Sequence, residues 1–211
     1  MICSYRSRLY KRTQQLINSY ILMKDKIVLI AKYFFGGMSM GLNKEKMKEV
    51  IHYIISMCGT QTNLWRTNLY KILYFSDFDY FELNNKSMTN EEYSRYPRGP
   101  VPVHFINLKN ELVEENKISE TEEYPFEGAD NMGFSYKSLK SSSFELLSDD
   151  EKRVIDAVIN RVKHMNTDQI SDYSHGDMPW IVAEDQEILE YRYVFYRNND
   201  YSVREYNESG N

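Results

Sequence analysis

Apolar positions recur at helical spacing through most of the chain and alternate at strand spacing in only a few short runs. From Leu16 to Phe35 they fall at Leu16/Ile17, Tyr20/Ile21, Ile27/Val28, Ala31 and Phe34/Phe35. This predicts one or two helices ending at Gly36-Gly37. The following Gly-Met-Ser-Met-Gly run marks a joint between an N-terminal extension, 1–42, and a main domain. Asn43 is placed to cap the next helix, in which Met47, Val50, Ile51, Ile54 and Cys58 line one face. Lys46, Lys48, Glu49 and Tyr53 lie away from the centre of that face. His52 is expected at the surface or an interface, Cys58 as a small core residue, and Gly59 as the stop.

The next predicted helix, from about residue 63 or 64 to Glu82, is apolar around most of its circumference. Leu69, Tyr80, Leu73, Tyr70, Phe81 and Tyr74 cover about 140° of arc, and Phe78 and Phe75 extend it to about 240°. A helix of this kind packs on several sides and belongs at the centre. Asp77 falls in the middle of its densest apolar arc, with Lys71 and Asp79 outside that arc. A buried carboxylate is costly unless hydrogen-bonded or paired. Tyr hydroxyls, Arg98 and His175 are the partners the sequence offers. Three readings stay open for Asp77: satisfying backbone donors in the following loop, binding a partner, or acting as a catalytic acid.

Asn84-Asn85 predicts a turn and Glu92–Tyr96 a short strand. Pro97, Pro100 and Pro102, with Gly99 between, preset the backbone of the next loop. Pro102 is expected in the first turn of a helix bearing Phe105, Leu108, Leu112 and Val113. Residues 114–133 read as acidic loop, and Phe134 and Tyr136 alternate as in a strand. Ser148-Asp149-Asp150-Glu151 is a capping box opening a helix with Val154, Ile155, Val158, Ile159 and Val162 on one face. Thr167 is expected to cap a short helix containing Ile170 and Tyr173. After an Asp185-Gln186 turn, 188–197 reads as a strand with Leu189, Tyr191, Tyr193 and Phe195 on one side. The tail 198–211 reads as polar and disordered. The sum is five to seven helices with a small antiparallel sheet of two or three strands: α+β, predominantly helical.

Charge changes this picture more than composition does. Residues 1–48 carry ten Lys/Arg against Asp25 and Glu45, a net of +8, and the other 163 residues carry 16 basic and 29 acidic groups, a net of −13. A basic arm on an acidic body either packs on that body or contacts DNA, and the acidic body itself is poorly suited to phosphates. Cys3 and Cys58 show no metal-ligand spacing, and a reducing cytoplasm is expected. Asn18 and Lys24-Asp25-Lys26 interrupt the apolar stretch 16–35, so no uncharged run of about 18 residues forms. A secretory leader is equally unexpected. Arg98-Gly99 lacks the residues of a phosphate loop. No cofactor, no metal and no catalytic residue is expected, and the chain does not read as an enzyme.

Three blocks carry a resemblance: Leu69-Tyr70-Lys71-Ile72-Leu73-Tyr74-Phe75-Ser76-Asp77; Tyr93-x-x-Tyr96-Pro97-Arg98-Gly99-Pro100-Val101-Pro102; and Ser174-His175 followed by Pro179-Trp180. In this order they resemble the SocA-like, or Panacea, antitoxin domain over about residues 43–197. The first block departs from the family pattern in being more aromatic. The resemblance implies a helical domain with a small sheet, encoded beside a toxin gene, often in phages or mobile elements. It implies a protein that neutralises a cognate toxin by direct contact. Asp77, Tyr93, Tyr96, Pro97, Arg98, Gly99, Pro100, His175 and Trp180 are the corresponding motif or partner-binding residues. One branch of the family implies a protease adaptor instead. A DNA-binding transcriptional role through residues 1–42 and a homo-oligomer both remain open, as does a start at Met38 or Met40.

Overall fold

The computed structural model describes residues 41–58, 64–125, 127–141 and 143–204. The expected helices of 16–35, the basic arm and its DNA contact lie outside the described residues. From Leu42 onward the chain forms one compact unit. Helix α1 (Lys44–Cys58) starts where Asn43 Oδ1 accepts the Lys46 N–H at 3.2 Å, as a capping residue does. Met47, Val50, Ile51, Ile54 and Ile55 are buried along it. The buried face is wider than its apolar stripe, and Tyr53 and Lys48 are buried with it. His52, expected at the surface or an interface, is 2% exposed. Its Nε2 lies 3.1 Å from Ser138 Oγ and 3.0 Å from the Lys140 carbonyl, so it joins helix to sheet. Cys58 is half-buried, and burial pushes its thiol up to about 11, as befits an inert core thiol.

Strand β1 (Leu64–Trp65) leads into the central helix α2 (Arg66–Asn84). Twelve of its 19 residues are buried, which confirms its place at the hub. Lys71 and Asp79, expected outside the apolar arc, are buried too. A helix enclosed on every side has no polar face left for them. Asn85 ends α2 in the left-handed region, φ 54°, its N–H returning to the Phe81 carbonyl at 2.8 Å.

The loop that follows makes a minimal antiparallel sheet from β2 (Tyr93–Ser94) and β3 (Val101–Pro102), with Tyr93 opposite Pro102 and Ser94 opposite Val101. Pro102 therefore sits in a strand, and helix α3 (Phe105–Glu114) starts three residues later. Of the apolar residues that helix bears, Phe105, Leu108 and Leu112 are buried and Val113 is exposed. The expected acidic loop holds a strand, β4 (Ile118–Glu123), which pairs antiparallel with β5 (Gly133–Ser138) in a sheet ordered β1-β5-β4. Its glutamates had masked it: Glu120 accepts from Tyr136 Oη at 2.7 Å across the strands and pairs with Lys109 Nζ at 2.6 Å.

Helix α4 (Asp149–Val162) has both halves of the Ser148/Glu151 capping box. Helix α5 (Thr167–His175) is capped by Asn166 with Gln169, one residue earlier than expected. Thr167 is its first helical residue, and its hydroxyl donates to Asn68 Oδ1 at 2.9 Å. A short α6 (Met178–Val182) follows. The expected strand 188–197 is a 3-10 helix, Tyr191–Tyr196, with a single bridge from Ile188 to Ser94. Packing against α2 selects a spacing of three there, turning Tyr191, Val194 and Arg197 inward. Tyr191 stacks on Phe78 with centroids 4.2 Å apart. Residues 201–204 of the expected disordered tail are packed: Tyr201 stacks on Tyr173 at 4.8 Å, and Ser202 Oγ donates to Glu82 at 2.5 Å. Residues 205–211 lie outside the described residues. The whole is a helix-dominated α+β fold, as the pattern predicts.

Candidate functional site

The Pro/Gly loop, residues 93–102, lies over two buried polar groups of α2. Asp77 fixes its first half. Oδ1 accepts the Thr89 backbone N–H at 3.1 Å; Oδ2 accepts the Thr89 hydroxyl at 2.6 Å and the Tyr93 hydroxyl at 2.8 Å. Of the expected partners, a Tyr hydroxyl and loop donors are the ones used; Arg98 and His175 are not. Burial outweighs these hydrogen bonds and pushes the carboxyl from its ordinary 3.8 up to about 6.

Lys71 fixes the second half. It is 1% exposed, and Nζ donates to the Pro100 carbonyl at 2.8 Å. Burial, helped by the nearby Arg98 charge, brings its ammonium down to about 7. Gly99 crosses directly above it with φ +92°, where a Cβ would stand 2.2 Å from Ser174 Oγ and 2.5 Å from Lys71 Cε. Glycine is required there twice over, by backbone conformation and by space. Its N–H closes the turn onto the Tyr96 carbonyl at 2.8 Å.

His175 and Trp180 support the loop from the side. Their rings stack with centroids 4.3 Å apart, and Arg95 lies 3.9 Å from the Trp180 ring centre. The His175 ring bonds to the Pro97 backbone, and burial lowers its pKa. Among the described residues, His175 Nε2 and Trp180 Nε1 are buried without a hydrogen-bond partner. The nine candidate residues thus divide. Asp77, Tyr93, Gly99, Pro100, His175 and Trp180 serve the underside of the loop, while Tyr96, Pro97 and Arg98 face outward. Arg98 makes a surface ion pair with Asp168 at 3.3 Å, of a kind worth little to stability.

Beneath this lies a cluster that sequence reading missed. Arg197 is fully buried and donates from Nε to Asp177 Oδ1 at 2.8 Å and from Nη2 to Asp177 Oδ2 at 2.6 Å. Its Nη1 reaches Asp79 Oδ1 and Glu82 Oε2, each at 2.8 Å. Tyr74 Oη donates to Asp177 Oδ2 at 2.8 Å, and Arg161 to Asp79 Oδ2 at 2.7 Å. The signal was available: Asp77, Asp79 and Glu82 on one otherwise apolar helix call for a buried cation.

Chemically, the arrangement holds a loop still. Asp77 is saturated by neutral donors, and the carboxylates of the lower cluster are bound to arginines. Among the described residues no group of three His, Cys, Asp or Glu side chains is disposed to hold a metal ion, and no helix is long and apolar enough to cross a membrane. A cavity of about 1100 Å³ beside the ends of α1 and α4, lined by Cys58, Trp65, Asp156 and Lys163 among others, contains none of the candidate residues.

Fold and site define a helical domain organised to present one clamped loop. The family model of the antitoxin SocA-like proteins, Panacea domain, matches residues 69–181, from within α2 to within α6. This is just over half of the chain, and the protein belongs to that family. All nine candidate residues lie inside the match. Membership supports an antitoxin role and a protein partner in general terms. No curated protein and no solved structure matches the chain.

Proposed function

We propose that this protein neutralises a cognate toxin by direct protein–protein contact in the cytoplasm, as the antitoxin of a toxin–antitoxin pair of phage or mobile-element type, without catalysing a reaction. The observation that carries this reading is the division of the motif loop into a clamped underside and an exposed outer side. Lys71 and Asp77 hold one side through the Pro100 carbonyl, Thr89 and Tyr93; Tyr96, Pro97 and Arg98 stand outward. A recognition element ordered before binding loses less entropy on binding, and Tyr and Arg are favoured at binding hot spots. Asp77 and His175, the nearest approach to an acid–base pair in the motif, engage separate partners and serve the scaffold.

The test is co-expression with the protein encoded by the adjoining open reading frame. Growth arrest by that protein alone, relief of arrest by this chain, and co-purification of the two are the expected results. Absence of rescue together with absence of co-purification refutes the reading.

A further inference from the structure

The small β2–β3 sheet has an outward face that is exposed along its margins among the described residues, with Ser94 at its centre buried and Val101 half-buried. Tyr93, Pro102 and Leu189 point into the core. Because successive strand residues alternate between faces, the pairings of Ser94 with Val101 and with Ile188 put Glu92, Ser94, Tyr96, Val101, Val103 and Ile188 on the opposite side. The Val103 N–H bonds to the Glu92 carbonyl at 2.9 Å, extending that register. Tyr96, Val103 and Ile188 are 42%, 47% and 39% exposed, and Ile106, in the first turn of α3, is 45% exposed. Grouped exposed apolar side chains of this kind mark interaction surfaces.

The rim of this face is acidic. Glu92 lies on it, and Glu184 and Asp185 precede Ile188. These three are exposed and carry no ion pair among the described residues, whereas Glu187 alternates to the other face and accepts the Glu184 N–H at 2.7 Å, and Glu190 is paired with Arg192. The rim is anchored to the motif loop: the Arg95 N–H bonds to the Glu187 carbonyl at 2.9 Å, and the Gln186 N–H to the Arg95 carbonyl at 2.9 Å. An apolar strip bordered by unpaired carboxylates complements an apolar strip bordered by Lys and Arg.

We infer that the outer face of the β2–β3 sheet is the toxin-docking surface, and that its occupant is a segment of the toxin that seats apolar side chains on Tyr96, Val103 and Ile188 and brings Lys or Arg side chains against Glu92, Glu184 and Asp185. This rests on the antitoxin reading and adds to it the face used and the chemistry of the partner. The apolar strip sets the lifetime of the complex and the carboxylates set its rate of formation.

The probe is the protein encoded by the adjoining open reading frame, captured by the full-length chain in a real-time binding assay. Val103→Asp combined with Ile188→Asp is expected to weaken binding about tenfold or more, chiefly through faster dissociation. Glu92→Lys combined with Asp185→Lys is expected to slow association about three- to tenfold at low salt, and added salt to slow wild-type association while barely affecting the doubly lysine-substituted chain. The lysine pair leaves the apolar strip untouched and keeps the test decisive if the aspartate pair misfolds. Wild-type binding with unchanged kinetics in either correctly folded double variant overturns the surface while leaving the antitoxin reading intact. Failure of the wild-type chain itself to bind overturns the antitoxin reading, and this surface with it.

Discussion

Replacing Arg197 by Met removes a guanidinium from among three carboxylates while roughly keeping the volume of its stem. Four hydrogen bonds disappear, two to Asp177 and one each to Asp79 and Glu82. At about 1.5–3 kcal/mol for a hydrogen bond to a charged group, their gross worth is about 6–12 kcal/mol. Each carboxylate keeps a donor: Tyr74 for Asp177, Arg161 for Asp79, and the Ser202 hydroxyl with the Val203 N–H for Glu82. The net loss should therefore approach the ~3–5 kcal/mol typical of breaking a buried pair from one side, against a total stability of about 5–15 kcal/mol for a domain. With a urea m-value of about 2 kcal/mol/M, the unfolding midpoint falls by roughly 1.5–2.5 M.

Acidity separates this electrostatic loss from simple loss of packing. The Asp79 carboxyl already lies above its ordinary value because burial outweighs the two arginines, and losing Arg197 raises it further. A folded-state pKa above the unfolded one means that the folded state takes up protons as pH falls, so the deficit of the variant shrinks on acidification. Urea titrations of both chains, followed by circular dichroism and Trp fluorescence at about pH 7.5 and about pH 5.5, measure this directly. A midpoint shift below about 0.5 M, or a deficit equally large at both pH values, refutes the argument.

Asp77 and Lys71 give opposite pH signatures. With the Asp77 carboxyl raised from 3.8 to about 6, its favourable contribution is full below the unfolded value and is lost as pH rises through about 6; the difference is about 3 kcal/mol. Asp77→Ala should remove that slope from a pH series of unfolding midpoints. It should also cost about 2 kcal/mol near neutral pH by stranding Thr89 and Tyr93, well beyond the ±0.5 kcal/mol of an ordinary surface change. Lys71 is lowered from 10.5 to about 7, so its burial penalty is felt below about pH 7 and fades towards pH 10.5. Lys71→Met should be relatively most stable on the acidic side, and a stability difference from wild type that ignores pH between about 6 and 9 counts against a buried ammonium. Gly99→Ala should lower stability by about 1–3 kcal/mol through strain at φ +92° and overlap with Ser174 and Lys71. An unchanged thermal midpoint shows that the loop has room to move.

Periodicity located the hub well, because twelve buried positions on one 19-residue helix leave a dense apolar signature. It also isolated Asp77 as an acid that had to find donors. It failed where a side chain's fate was decided by distant residues. The segment 188–197 has the composition of a strand, yet Phe78 and Phe81 offer Tyr191 a helical surface to pack on, and tertiary contact overrides propensity. β4 was hidden by glutamates that are satisfied by Lys109, Tyr136 and Ser135. Most of the motif residues were legible, but their division into clamp and outward side was not, since three prolines and a glycine set a loop's stiffness without saying which way it faces. The acids of α2 called for a cation, but nothing local says that it is Arg197, whose partners on α2 lie 118 and 115 residues away.

That separation has a consequence during synthesis. Asp79 and Glu82 emerge within the aromatic hub, but the arginine that neutralises them is translated more than 110 residues later. At about 5–20 residues per second this is a delay of roughly 6–24 s. Over that interval Asp79 can be paired only with Arg161, and burying Glu82 would leave a carboxylate short of the cation it has in the finished fold. A chain that ends before residue 197 lacks the donors that Arg197 gives to Asp79, Glu82 and Asp177, so the buried cluster closes only when the last turns of the domain have been made.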